Sequence, residues 1–336
     1  MIRTLCLSAA IAALLCASTT LADPAQPMAK PEVFAPGVIS GPANDDAPVF
    51  TPDGRTVFFF RSNQEDYDIM VSHLVGTRWA APRIAPFSGQ WRDLEPAMAP
   101  DGSYMIFASS RPIHGGYVRL DGHWGDKMHP GRGGNLWRVD RKGKGWSTPT
   151  RLPDTINQAD STFSPGIARD GTLYFMGASG EGGHFRIYRA PLENGHYQSP
   201  QLLPFCVSYG CADGTIAPDQ SFIVFSSNRP PAAAQSMALF IAFRDGTHWS
   251  EPVALGPEIT GSESRLGPDG HTLYFSSSYV VPPAFPKTGA TSASGLRDMQ
   301  SWNNGADNIW RIDLAPWIAR HAREVMAARS ESTDSK

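Results

Sequence analysis

A five-fold phrase constrains this chain more than any other feature. Pro52-Asp53-Gly54 returns as Pro100-Asp101-Gly102, Arg169-Asp170-Gly171, Pro218-Asp219-Gln220 and Pro268-Asp269-Gly270. Successive intervals are 48, 69, 49 and 50 residues, close to the length of one supersecondary unit in a repeat protein apart from the longer second one. After each phrase β-forming residues run to an aromatic: Thr56 to Phe60, Tyr104 to Phe107, Thr172 to Phe175, Phe222 to Phe225 and Thr272 to Phe275. Pro-Asp-Gly between apolar runs reads as a tight hairpin turn, with Gly supplying the positive φ that other residues resist. A third strand follows, marked by Ile69-Met70, Leu136-Trp137, Ile187-Tyr188, Phe240-Ile241 and Ile309-Trp310. A Gly turn, an aromatic and a Pro-containing fourth stretch close the unit, as in Trp249-Ser250-Glu251-Pro252. Proline there suits an outer edge strand, where its missing N–H breaks no ladder.

Four strands per unit predict an all-β chain: a five-bladed β-propeller of four-stranded antiparallel blades. The 32 Gly and 29 Pro in 336 residues suit its many turns. The fifth unit lacks a fourth strand, because Leu314-Ala315-Pro316-Trp317 follows Ile312 directly. Pro31 to Ile39 looks like Pro252 to Ile259, so the N-terminal strand is expected to complete the last blade. Closure of that kind removes exposed sheet edges. The propeller is placed at residues 28–315 as a single domain. A tail over 318–336 is expected to begin as a short amphipathic helix and then fray.

The phrases Glu95-Pro96 through Phe107-Ala108-Ser109-Ser110-Arg111, and Asp219 through Phe225-Ser226-Ser227-Asn228-Arg229, resemble the TolB-type β-propeller repeat. That WD-repeat-like family is common in bacterial envelope proteins, and the resemblance runs from about residue 31 to 313. It implies the propeller fold and an exported protein. Blades 3 and 4 depart at the turn, with Arg169 for Pro and Gln220 for Gly.

The N-terminus carries a targeting pattern over residues 1–22. Arg3 precedes the apolar run from Leu5 to Leu15, and Thr20-Leu21-Ala22 precedes Asp23. The run is too short for a membrane span, so a cleaved signal peptide and a periplasmic or secreted protein are expected. Cys6 and Cys16 then leave with the signal, and Cys206 and Cys211 remain as an even pair for a disulfide. A net charge of -3 offers no footprint for nucleic acid, and no later stretch is long and apolar enough to cross a membrane. A monomer is expected.

Chain direction puts the short Pro-Asp-Gly turns on one face and the irregular connections on the other, which is the expected binding face. Blades 2 and 5 carry long insertions there, Phe107 to Asn135 and Phe275 to Asn308, and flank blade 1. Near the channel, Asp46, Glu95, Asp160 or Ser164, Asp213 and Glu263 open the first strands, while Arg61, Arg111 and Arg229 end second strands. Carboxylates beside guanidiniums suit a polar ligand or a divalent cation, or they pair off within their own blade. The expected ligand site joins Asp46, Arg61 and Asp66 with Arg92, Glu95 and Arg111 on one side and Glu263 and Arg265 on the other; Asp213 belongs to the same ring. His114, His123 and His129 in the blade 2 insertion are candidate metal ligands by residue type.

Gly-x-Ser-x-Gly, His-Glu-x-x-His and phosphate-cradling glycine loops are all missing. The leading expectation is therefore an exported binding module for a protein, peptide or glycan of the cell envelope, with no catalytic residue assigned and no cofactor required. The alternative is a metal-assisted hydrolase or lyase using the carboxylate ring and the blade 2 histidines.

Overall fold

The Pro-Asp-Gly phrase folds as its chemistry dictates. In a computed structural model describing residues 30–63, 65–179, 183–232 and 237–334, Asp53 Oδ1 accepts from the Arg55 amide at 3.0 Å, and Gly54 turns at φ +68. Asp101, Asp170, Asp219 and Asp269 make the same amide contact at 2.8–3.0 Å, to Ser103, Thr172, Ser221 and both His271 and Thr272. In blade 4 Gln220 takes the glycine's place at φ 62. Its side chain bonds Tyr174 Oη, Asp170 and Arg244, contacts that offset the strained backbone. The targeting segment and Cys6 and Cys16 lie outside the described residues.

The turns close five antiparallel blades arranged as a five-bladed propeller. The inner strands are Asn44–Phe50, Asp93–Met98, Thr162–Ile167, Cys211–Ile216 and Ser262–Leu266. Each pairs with a second strand, and that with a third: Tyr67–Val75, Asn135–Lys142, His184–Ala190, Ala238–Asp245 and Asn308–Asp313. The fourth strands are two residues long, Arg83–Ile84, Thr150–Arg151, Gln201–Leu202 and Val253–Ala254. Blade 5 takes its fourth strand from the N-terminal side, with Glu32 opposite Arg311 and Val33 opposite Trp310. Phe34 follows, packed edge-on to Phe50, Trp79 and Tyr274, so the closing strand is also pinned into the blade 5–blade 1 core.

Every inner strand is interrupted by a bulge at the same height. The register shifts fall after Asp46, Leu94, Phe163, Ala212 and Ser262. The next residue is left-handed in all five blades: Ala47, Glu95, Ser164, Asp213 and Glu263, at φ 43 to 54. A bulge re-aims side chains and costs backbone strain, and here it turns one side chain per blade toward the axis. Blade 1 thus corrects the sequence register by one residue. Ala47, not Asp46, is the counterpart of Glu95, and Phe59, not Phe60, is that of Phe107. Three consecutive phenylalanines, Phe58 to Phe60, hid the offset.

Two helices complete the chain. α1 (Gly289–Ser301) lies in the blade 5 insertion, and Thr288 and Thr291 cap it reciprocally. α2 (Ala315–Asp334) is one continuous helix, longer than the short one expected. Its Trp317 is buried in the blade 4–blade 5 core, and His321 stacks on Phe243 at 3.9 Å. Cys206 and Cys211 form a disulfide, both fully buried, with Cα atoms 5.6 Å apart. It braces the connection entering blade 4. No helix among the described residues is long and apolar enough to cross a membrane.

Candidate functional site

The bulges assemble a layer of side chains on the propeller axis: Ala47, Glu95, Ser164, Asp213 and Glu263. Glu95, Asp213 and Glu263 each place a carboxylate oxygen within 4.8 Å of the others, the closest grouping of metal-ligand types among the described residues. Asp46, one residue before its bulge, is buried beside them. The next layer toward the turn face holds Val49, Ala97, Gly166 and Thr215, all small, and one long residue, Arg265. Arg265 is buried, donates Nη1 to Ser264 O at 2.7 Å and comes within 3.5 Å of Glu263. Beyond it lies a cavity of about 150 Å³ lined by Val49, Met98, Ile167, Ile216 and the turn prolines. Arg265 thus divides an acidic chamber from an apolar one.

Burial dominates the electrostatics of the chamber. It pushes the carboxyl of Glu95 up to about 7, assisted by Asp213 and opposed by the Ser164 amide, which donates to Glu95 Oε2 at 2.6 Å. Burial also raises Glu263 well above its usual range, with repulsion from Asp213 and Glu95 adding and Arg265 opposing. Asp46 rises through burial and the charge of Asp307, and Asp213 through burial against Arg265. Among the described residues Glu263 Oε2, Ser164 Oγ and Arg265 Nη2 are buried without a hydrogen-bond partner. Oxygen donors gathered with one guanidinium can accept a cationic or strongly hydrogen-bonding group, or a divalent cation.

The remaining candidates divide. Arg61 forks onto Asp45 at 2.6 and 3.1 Å, and Arg111 onto Asp93 at 2.6 and 3.1 Å. Burial raises Asp45 and Asp93 to about 6 even against those guanidiniums. Arg229 bonds the Phe205 carbonyl and Ser227. These three arginines are held within their blades, so they stand apart from the axial layer that Glu95, Asp213, Glu263 and Arg265 share. The sequence reading named the arginines but missed Asp45 and Asp93, each an aspartate ahead of the bulge.

Nor does the structure bring the histidines together. His123 meets Asp160 at 2.8 Å, which removes Asp160 from the ring, and His129 stacks on Trp124 at 3.8 Å. His114 is exposed in the first turn of the insertion. The insertion's hairpin, Gly122–Trp124 with Lys127–His129, leans on blade 3 because Trp124 packs against Phe163 and Phe185. Toward blade 1 the same insertion reaches across through Arg132, which meets Glu65 of that blade at 3.1 Å. Asp66 lies in the same blade 1 loop as Glu65, at the rim.

One face collects most of the exposed apolar side chains. The blade 2 insertion shows Ile113, Tyr117, Val118 and Met128; the blade 5 insertion shows Tyr279, Val280, Val281, Phe285, Leu296 and Met299. Tyr117 is 98% exposed and Phe285 77%.

No family model matches the sequence, and no curated protein matches it. Solved structures do resemble it. TolB from Acinetobacter baumannii is 17% identical at a TM-score of 0.44, covering 70% of this chain and 49% of that one. This chain thus spans about half the length of that TolB. A putative TolB from Agrobacterium tumefaciens is 16% identical at a TM-score of 0.38, covering 68% and 88%. A calcium-binding protein, regucalcin, from Agrobacterium tumefaciens is 18% identical at a TM-score of 0.43, covering 85% and 94%. TolB proteins are thus among the structures this five-bladed propeller is similar to, and the likeness is one of fold.

Proposed function

We propose that the chain is an exported propeller that binds a peptide segment of an envelope protein on its loop face. The observation that carries this reading is the crowding of exposed apolar side chains on the two insertions of that face. Exposed apolar patches mark interaction sites, and Tyr279, Val280 and Val281 form one such run in the blade 5 insertion. Val118, Val280, Val281 and Met299 accompany the aromatics, which suits a peptide better than a sugar. In this reading the acidic cluster on the axis takes a basic group of that peptide. Export is supported by the signal-like segment and by the Cys206–Cys211 disulfide.

Selection from a displayed random-peptide library, run beside a glycan array, tests the reading. Enriched peptides are expected to carry apolar residues with a Lys or Arg, and to lose binding to a Tyr117→Ser/Phe285→Ser variant. Glycan hits without peptide enrichment would contradict it.

A second reading rests on the Glu95, Asp213 and Glu263 cluster: a divalent cation at the axis, serving a metal-assisted reaction. Metal analysis of protein purified without chelator addresses it. A stoichiometric metal whose removal by EDTA lowers the Tm would favour this reading over the first.

A further inference from the structure

At the loop-face boundary of blades 1 and 2 the guanidinium groups of Arg92, Arg119 and Arg132 lie together. Arg92 is only 8% exposed, yet no carboxylate pairs with it among the described residues. Its guanidinium lies over the Tyr67 ring, 4.1 Å from the centroid, and Nη1 reaches the Gly131 carbonyl at 3.5 Å; its buried Nε has no partner. Arg119 packs on the other side of the same glycine: a Cβ placed on Gly131 would lie 3.0 Å from Arg119 Nε. Arg132 is the next residue, and its Nη2 donates to Glu65 Oε1 at 3.1 Å. Burial disfavours the charge of Arg92; Tyr67 supports it, while Arg132 and Arg119 repel it.

A buried guanidinium lacking a counter-ion is costly, which is why Arg61 and Arg111 carry their own aspartates. Arg92 is more buried than either and has no carboxylate partner among the described residues. We propose that Arg92, Arg119 and Arg132 form a receptor for one carboxylate group of the bound peptide. The inference rests on the peptide-binding reading and adds a polarity to it: a basic residue toward the axis, a carboxylate toward the blade 1–blade 2 rim. A carboxylate fits better than a phosphate dianion for a reason of charge. Glu65 pairs with Arg132, and Asp121, whose Oδ1 accepts from the Gly131 amide at 2.6 Å, lies beside the cluster, so a dianion would meet negative charge already in place. The planar fork of a guanidinium matches a carboxylate bidentately. Glu65 on Arg132 shows the same pairing with a carboxylate of the chain itself.

The test is an NMR titration of protein labelled with ¹⁵N-arginine, reading the Nε–Hε resonances. Arg92→Lys and Arg119→Lys variants assign the peaks. Three probes of similar size are compared: N-acetylglutamate α-amide, which offers a side-chain carboxylate; N-acetylglycine, which offers a chain terminus; and N-acetylglutamine α-amide, which is neutral. Shifts at Arg92 and Arg119 with a carboxylate probe but not with the neutral one are expected. The stronger of the two carboxylate probes tells side chain from terminus. Arg119→Ala, an exposed position, should weaken the response about tenfold, in line with the loss of a charge-assisted bond. No shift with either carboxylate, an equal shift with the neutral amide, or tighter binding of inorganic phosphate would each overturn the receptor. Failure of the peptide selection would leave these shifts in place, so the two readings fail separately.

Discussion

Two sets of buried carboxylates lie within a few residues of each other on the inner strands, and they are held in opposite ways. Asp45 and Asp93 each face a guanidinium of their own blade in a bidentate pair. Glu95, Asp213 and Glu263 face one another and share a single guanidinium, Arg265. The first arrangement balances charge and satisfies hydrogen bonds, as a structural clamp does. The second stacks like charges on the axis and leaves buried polar atoms unpartnered, which folding alone gives no reason to do. Perturbed carboxylates cluster at functional sites, and structural pairs such as Asp45 and Asp93 perturb them too, so substitution has to separate the two cases. The two sets should therefore answer substitution with opposite signs.

The largest effect is expected at a clamp. Asp93→Ala leaves Arg111 buried without its counter-ion and should cost about 3–5 kcal/mol, the usual penalty for breaking a buried pair. Urea unfolding measures it, and a loss under about 1 kcal/mol would make the clamp dispensable. Next comes Arg265→Met, which removes the one cation from the axial layer. At pH 8 it should destabilise by about 2 kcal/mol, typical of a lost hydrogen bond to a charged group. At pH 5, below the raised value of about 7 at Glu95, the loss should shrink; equal losses at both pH values would show that Arg265 acts by filling space. The smallest effect belongs to the loop face. Tyr117→Ser/Phe285→Ser should leave stability within about 0.5 kcal/mol of wild type while removing peptide binding. A large fall in Tm would mean that these side chains pack instead of waiting for a partner.

What could be read from the sequence follows from what repeats. The blade count, the turn chemistry and the split fifth blade were legible because Pro-Asp-Gly and its strands recur with the fold. The axial carboxylates were legible for the same reason, apart from the one-residue offset at Asp46 that Phe58 to Phe60 concealed. The pairing of Arg61 and Arg111 with Asp45 and Asp93 was not, because a guanidinium's partner depends on which way a bulged strand turns its neighbours. α1 escaped because its cap is Thr288 with Thr291 rather than a glutamate, and Gly289 and Gly295 weaken its helical signal. The lean of the blade 2 hairpin depended on Trp124 finding Phe163 and Phe185, contacts between blades that no local pattern encodes.

The contrast between the two carboxylate sets is tested most directly by stability against pH. A carboxyl whose folded pKa is raised binds its proton more tightly in the folded state than in the unfolded one. Its contribution therefore favours folding at low pH and is lost as pH rises from the unfolded value, about 4, through the folded one. Glu95 is raised to about 7 and Glu263 well above its usual range, each mainly by burial, while Asp45 and Asp93 at about 6 add to the slope. Wild-type protein should thus unfold more readily at pH 8 than at pH 5. In Glu95→Gln/Glu263→Gln, which removes two of the opposed charges, the decline should be shallower and the stability at pH 8 higher than wild type. A double variant less stable than wild type at both pH values would show the axial carboxylates to be clamps like the others.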